Sequence, residues 1–95
     1  MGDNAATHVL ETVVVNELGL HARAAARVAE IAARANSNVW LVRGDSRVDA
    51  SSVIDMLTLA CVKGTKIRFE VEHQADIPLL KQLMALVENR FGEQR

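Results

Sequence analysis

Thr65 to His73 (TKIRFEVEH) alternates without interruption: Ile67, Phe69 and Val71 are apolar, while Lys66, Arg68, Glu70 and Glu72 are charged. Successive side chains of a strand point to opposite faces, so this segment predicts a strand with one dry face and one wet face. A sheet built around it must be covered on one side only. The cover is visible upstream. Eight of the fourteen residues from Ala22 to Ala35 are alanine, the best helix former. Ala24, Val28, Ile31, Ala32 and Ala35 fall on one helical face, and Arg23, Arg27, Glu30 and Arg34 form a polar stripe. Small side chains on the inner face let such a helix sit close to a sheet.

The remaining elements fit around these two. His8 to Val15 is rich in β-branched residues and predicts a strand, followed by a loop from Asn16 to Leu20 with Gly19 as its flexible point. Asn36 to Asn38 ends the alanine-rich helix. Val39 to Arg43 predicts a second strand, Gly44-Asp45 a turn, and Ser46 to Asp49 a returning strand. Ser52 to Ala60 predicts a short helix, with Ser52 and Asp55 spaced as a capping box. Lys63-Gly64 breaks it. Asp76 is expected to cap a last helix with Pro78 in its first turn and Leu80, Leu83, Met84, Val87 and Phe91 as its buried stripe. The order is βαββαβα, an α/β (α+β) two-layer sandwich. One domain over residues 1–95 is expected, with an ordered core at about 8–91.

Charge and composition exclude several functions. The net charge of −1 offers no basic face for nucleic acid. No apolar run approaches the roughly 20 residues of a membrane span. Met1 to Thr7 lacks the basic start and apolar core of a signal peptide, and Ala6 stands where a myristoylation signal needs Ser or Thr. Cys61 is the single cysteine, which fits a reducing, cytoplasmic setting. Cys61, His8 and His73 lack metal-ligand spacing, so no metal is expected. Arg43-Gly44-Asp45-Ser46 spells an adhesion motif, but a hairpin turn explains it fully.

The segment with chemistry is Gly19-Leu20-His21-Ala22-Arg23, a histidine at a loop-to-helix junction with an arginine in the first helical turn. The first amides of a helix lack internal partners, and together with the helix dipole they attract an anion. The expected anion-binding set is Ala22, Arg23 and Ala24, with the Arg23 guanidinium suited to phosphate oxygens. A neutral imidazole at His21 has a ring nitrogen free as a nucleophile. On local features alone, a histidine that only caps the helix accounts for the segment equally well.

Asn16 to Ala26 (NELGLHARAAA) resembles the active-site segment of HPr, the histidine-containing phosphocarrier of the bacterial phosphotransferase system. Val48 to Gly64 (VDASSVIDMLTLACVKG) resembles that family's regulatory serine helix and the Lys-Gly turn after it. The similarity runs from about His8 to Phe91. It implies an open-faced β-sandwich, with a four-stranded, mainly antiparallel sheet and three helices on one face. It also implies phosphorylation of His21 at Nδ1, attended by Arg23, and a regulatory phosphorylation site at Ser52. The implied partners are Enzyme I as donor, Enzyme IIA proteins as acceptors and, in some bacteria, HPr kinase/phosphorylase. No cofactor is implied, and a monomer is the simplest expectation.

Two residues depart from the family pattern. Ala24 stands where the family usually has proline, and Asp55 where glycine is common. Ala24 keeps helix propensity and adds a backbone donor near the phosphate. Asp55 places a negative charge beside any phosphate on Ser52. Leu20, Val53, Ile54 and Met56 are candidates for docking partners, with core packing the favoured reading for Met56 and Leu57 in a short amphipathic helix. A non-catalytic adaptor working through the Ser52 helix is the alternative function, and a small-ligand-binding module a third.

Overall fold

The computed structural model describes residues 8–95, so Met1 to Thr7 lie outside the described residues. The elements are β1 (His8–Val13), α1 (Ala22–Ala32), β2 (Val39–Arg43), β3 (Ser46–Asp49), α2 (Val53–Leu57), β4 (Lys66–Val71) and α3 (Ile77–Glu88). Short 3-10 turns at Gln74–Asp76 and Arg90–Gly92 flank α3. The four strands form one antiparallel sheet in the order β1-β4-β2-β3.

The alternation in β4 decides the layering. Ile67, Phe69 and Val71 are buried with Leu41 and Val39 of β2 and with Ala24, Ala25 and Val28 of α1. From α3, Leu80, Leu83 and Val87 join the same core, and so does Phe91 from the turn beyond. Met84, expected in that stripe, is only half-buried. The opposite face of the sheet is open and charged. There Arg47 lies over the Trp40 ring at 4.1 Å, and Trp40 Nε1 donates to Glu72 at 3.0 Å. Gly44-Asp45 is the two-residue link between the paired Arg43 and Ser46, which accounts for the adhesion-like tetrapeptide as a turn.

Strands β1 and β4 are shorter than expected, and two helix ends and one cap also differ. Helix α1 ends at Ala32, because Arg34 and Ala35 N–H groups turn to carbonyls three residues back. Helix α2 ends at Leu57, with Ala60 in the left-handed region at φ 52° closing the turn that follows. Asp76 precedes α3, but its carboxylate does not cap that helix. It accepts from the Asn36 N–H at 2.8 Å, the Asn36 side chain at 2.9 Å and the Ser37 N–H at 3.1 Å. Burial alone would raise this carboxyl; the hydrogen bonds from Asn36 and Ser37 outweigh it and hold the group below the ordinary carboxylate range.

Candidate functional site

The site forms where the loop after β1 meets the start of α1. Gly19 has φ +67°, and a Cβ there would stand 2.5 Å from the Cys61 carbonyl oxygen. The close approach lets the Leu20 N–H donate to that same carbonyl at 2.8 Å. Leu20 is thereby pinned inward, 6% exposed, and the next residue emerges at the mouth of α1.

That residue is His21, the N-cap of α1. Its Nδ1 accepts from the Arg23 N–H at 3.3 Å, and its Nε2 lies against the Glu93 carboxylate. An acceptor at Nδ1 requires a lone pair there, so the proton sits on Nε2 and is donated to Glu93. The His21 carbonyl accepts from Ala25 N–H at 2.8 Å. The N–H groups of Ala22 and Ala24 carry no hydrogen bond among the described residues. The ring keeps 26% side-chain exposure, open enough to be reached from solvent. The arrangement is an oriented imidazole beside the unpaired Ala22 and Ala24 amides, with the exposed Arg23 next to it.

Ala22, Arg23 and Ala24 therefore lie together at one helix mouth. Ser52 is the N-cap of α2, and its Oγ accepts from the Asp55 N–H at 3.2 Å. Ser51, its neighbour, donates its hydroxyl to Asp49 at 2.6 Å. Two docking candidates need correction. Leu20 is held inward by the Cys61 contact, and Met56 is the fully buried inner residue of α2. Val53 is half-buried against the core, whereas Ile54 is 75% exposed. Leu57, expected inward, is on the outer side, and Leu18 and Val62 are exposed on the loops beside the site. These loops are tied together by Lys63, which donates to Glu17 at 2.6 Å.

Two further residues were not foreseen. Asn16 is fully buried, and its Nδ2 donates to the Gly19 carbonyl at 2.9 Å and to Glu93 Oε1 at 2.8 Å. The Asn16 hydrogen bond is the largest influence on the Glu93 carboxyl and lowers it; burial opposes this, and His21 and Arg23 lower it further. Asn16 sits inside the segment that carries the family resemblance, directly after three valines, so its polar character at the end of an apolar run was a usable signal. Glu93 had none, because it is 72 residues from His21.

Comparison with known proteins places the chain in a family. A family model described as "PTS HPr component phosphorylation site" matches residues 10–89. The phosphocarrier protein HPr of Neisseria meningitidis is 36% identical over 80 residues, covering 84% of this chain and 90% of that protein. That of Pseudomonas aeruginosa is 39% identical over 85 residues, covering 88% and 94%. The crystal structure of HPr-C-His from Thermoanaerobacter tengcongensis superposes with a TM-score of 0.86 at 27% identity, over 93% of this chain and 99% of that one. The HPr structure from Bacillus anthracis gives 0.79 at 27% identity, over 86% and 98%.

Proposed function

The chain belongs to the HPr family of phosphocarriers of the phosphotransferase system, and from that premise we propose that Nδ1 of His21 is the atom that carries the phosphoryl group. The observation that supports this most directly is the orientation of the ring. Nδ1 faces the Arg23 N–H in the first turn of α1, while Nε2 is engaged by the Glu93 carboxylate.

Phosphoryl transfer demands positioning and charge stabilisation more than covalent chemistry from the protein. The Nδ1 lone pair forms a bond to phosphorus as the bond to the donor breaks, and that electron pair leaves with the donor. The equatorial oxygens then lie at the mouth of α1, within the field of the helix dipole and the Arg23 guanidinium. The amides of Ala22, Arg23 and Ala24 supply donors, the last of them a consequence of alanine at a position where proline would have none. Enzyme I, charged by phosphoenolpyruvate, is the proposed donor and Enzyme IIA proteins are the proposed acceptors, in sugar uptake or its regulation in the cytoplasm. Among the described residues no helix is long and apolar enough to cross a membrane. The partners dock on the apolar surface that Leu18, Ile54, Leu57 and Val62 expose. At Ser52 the same reading places a regulatory phosphate, opposed by the carboxylate of Asp55 in the first turn of α2.

The test is incubation with Enzyme I and phosphoenolpyruvate, followed by mapping of acid-labile phosphate by mass spectrometry. Phosphate is expected on His21 alone and absent from His21→Ala. Arg23→Ala removes a charged donor and is expected to slow acceptance about 10- to 100-fold. Phosphate on His8 or His73, or undiminished labelling of His21→Ala, overturns the assignment.

A further inference from the structure

We propose that Glu93 is a positioning residue: its carboxylate holds the His21 ring in the Nε2–H tautomer, so that the lone pair needed for attack stays on Nδ1. The inference rests on His21 as the phosphoryl acceptor and adds the residue that orients it. The geometry is a chain of hydrogen bonds with one consistent set of directions. Asn16 Nδ2 donates to the Gly19 carbonyl and to Glu93 Oε1, the other Glu93 oxygen accepts from His21 Nε2, and His21 Nδ1 accepts from the Arg23 N–H.

Asn16 makes the directions one-way. Turning its amide over would set Oδ1 against a carbonyl and a carboxylate, both pure acceptors. The present orientation leaves the buried Oδ1 without a partner among the described residues. The site accepts that cost in order to point the NH2 group at Glu93. The backbone brings Glu93 to this place deliberately. Arg90, Phe91 and Gly92 have consecutive positive φ angles of 56°, 55° and 85°, which reverse the chain after α3. Phe91 is buried as the anchor of this reversal, and the Arg95 carbonyl accepts from the Glu17 N–H at 3.0 Å on its far side. Beyond Phe91 the backbone is thus tied to the site at two points, the Glu93 carboxylate and the Arg95 carbonyl. The other charged groups around the site are Arg23 on α1, the Glu17–Lys63 pair on the loops, and Arg27, whose guanidinium packs on Gly92.

The consequence for the reaction follows from charge balance. When Nδ1 takes the phosphoryl group and Nε2 keeps its proton, the imidazole ring becomes a cation. The Glu93 carboxylate faces that charge from the side of the ring away from the phosphate. On release the N–P bond breaks, its electron pair returns to Nδ1, and the proton on Nε2 has not moved. A buried carboxylate that orients a histidine for proton transfer acts by the same logic.

The decisive comparison is Glu93→Gln against Glu93→Ala. In Glu93→Gln the side-chain oxygen stays with Asn16, and the amide NH2 faces His21 Nε2. It donates there and drives the proton to Nδ1, the wrong atom. In Glu93→Ala the ring is unheld but free to adopt either tautomer. We expect the 15N spectrum of the His21 ring to shift toward the Nδ1–H form in Glu93→Gln and not in Glu93→Ala. Acceptance from phosphorylated Enzyme I is expected to fall at least about tenfold in Glu93→Gln, and by less in Glu93→Ala. Glu93→Asp should retain the wild-type tautomer. An unchanged tautomer in Glu93→Gln, or transfer by that variant as fast as by Glu93→Ala, overturns the proposal. The spectrum is read on unphosphorylated protein without a partner, so it fails or succeeds separately from the labelling of His21.

Discussion

At the scale of single residues, the site depends on contacts that leave no room for substitution. Gly19 occupies a left-handed conformation against the backbone of Cys61, and its neighbour Leu20 is fastened to the same carbonyl. Gly19→Ala adds both a conformational cost and a collision, expected to destabilise the fold by about 2–4 kcal/mol in chemical denaturation. It should also slow phosphoryl acceptance, because His21 hangs from this turn. Asp76 illustrates the opposite kind of dependence. Its carboxyl is lowered in the folded protein, so the unfolded chain binds a proton first as pH falls. Its contribution is therefore complete above about pH 4, the ordinary carboxylate value, and is lost as pH drops through the lower folded value. Asp76→Asn is expected to flatten that part of the acid unfolding curve and to cost about 2–3 kcal/mol at neutral pH, since an amide cannot accept all the donors of Asn36 and Ser37. A variant as acid-sensitive as wild type would show that other carboxylates carry the transition.

At the scale of elements, helix ends do more than helix middles. The mouth of α1 carries the proposed phosphate site, while its alanine face only fits it closely to the sheet. Helix α2 is five residues long, too short to stand alone, and is held by its Ser52 cap, by buried Met56 and by the turn at Ala60. Ser52→Ala is expected to cost about 1 kcal/mol by thermal melting, whether or not the serine is ever phosphorylated. Ala60→Gly should stabilise by about 0.5–1 kcal/mol, because a left-handed alanine is strained and this one is exposed. A loss of stability in Ala60→Gly would mean that unfolded-state entropy outweighs the strain.

At the scale of the whole molecule, the sheet separates a wet face from a covered one, and the functional residues gather at one end of the covered layer. The strand order β1-β4-β2-β3 puts the loop after β1 next to the loop before β4, which is how Gly19 meets Cys61 and Glu17 meets Lys63. The segment after α3 then closes over that junction through Phe91 and Glu93. Most of the layering was legible in the chain itself: the alternation of β4, the alanine face of α1, the Gly44-Asp45 turn and the histidine at a helix mouth are local patterns. Backbone geometry translates such patterns directly into faces and turns, because side chains repeat every 2 or about 3.6 residues whatever the rest of the chain does. Partner choice over long separations has no such period. That Asp76 would bind the loop after α1 and not cap its own helix, that Leu20 would turn inward, and that Glu93 would reach back to His21 depended on how the packed layers bring distant backbone together. The sequence alone determined that a histidine would sit at a helix mouth; the tertiary structure decided which of its nitrogens is held, since only chain reversal after α3 delivers a carboxylate to the other side of the ring.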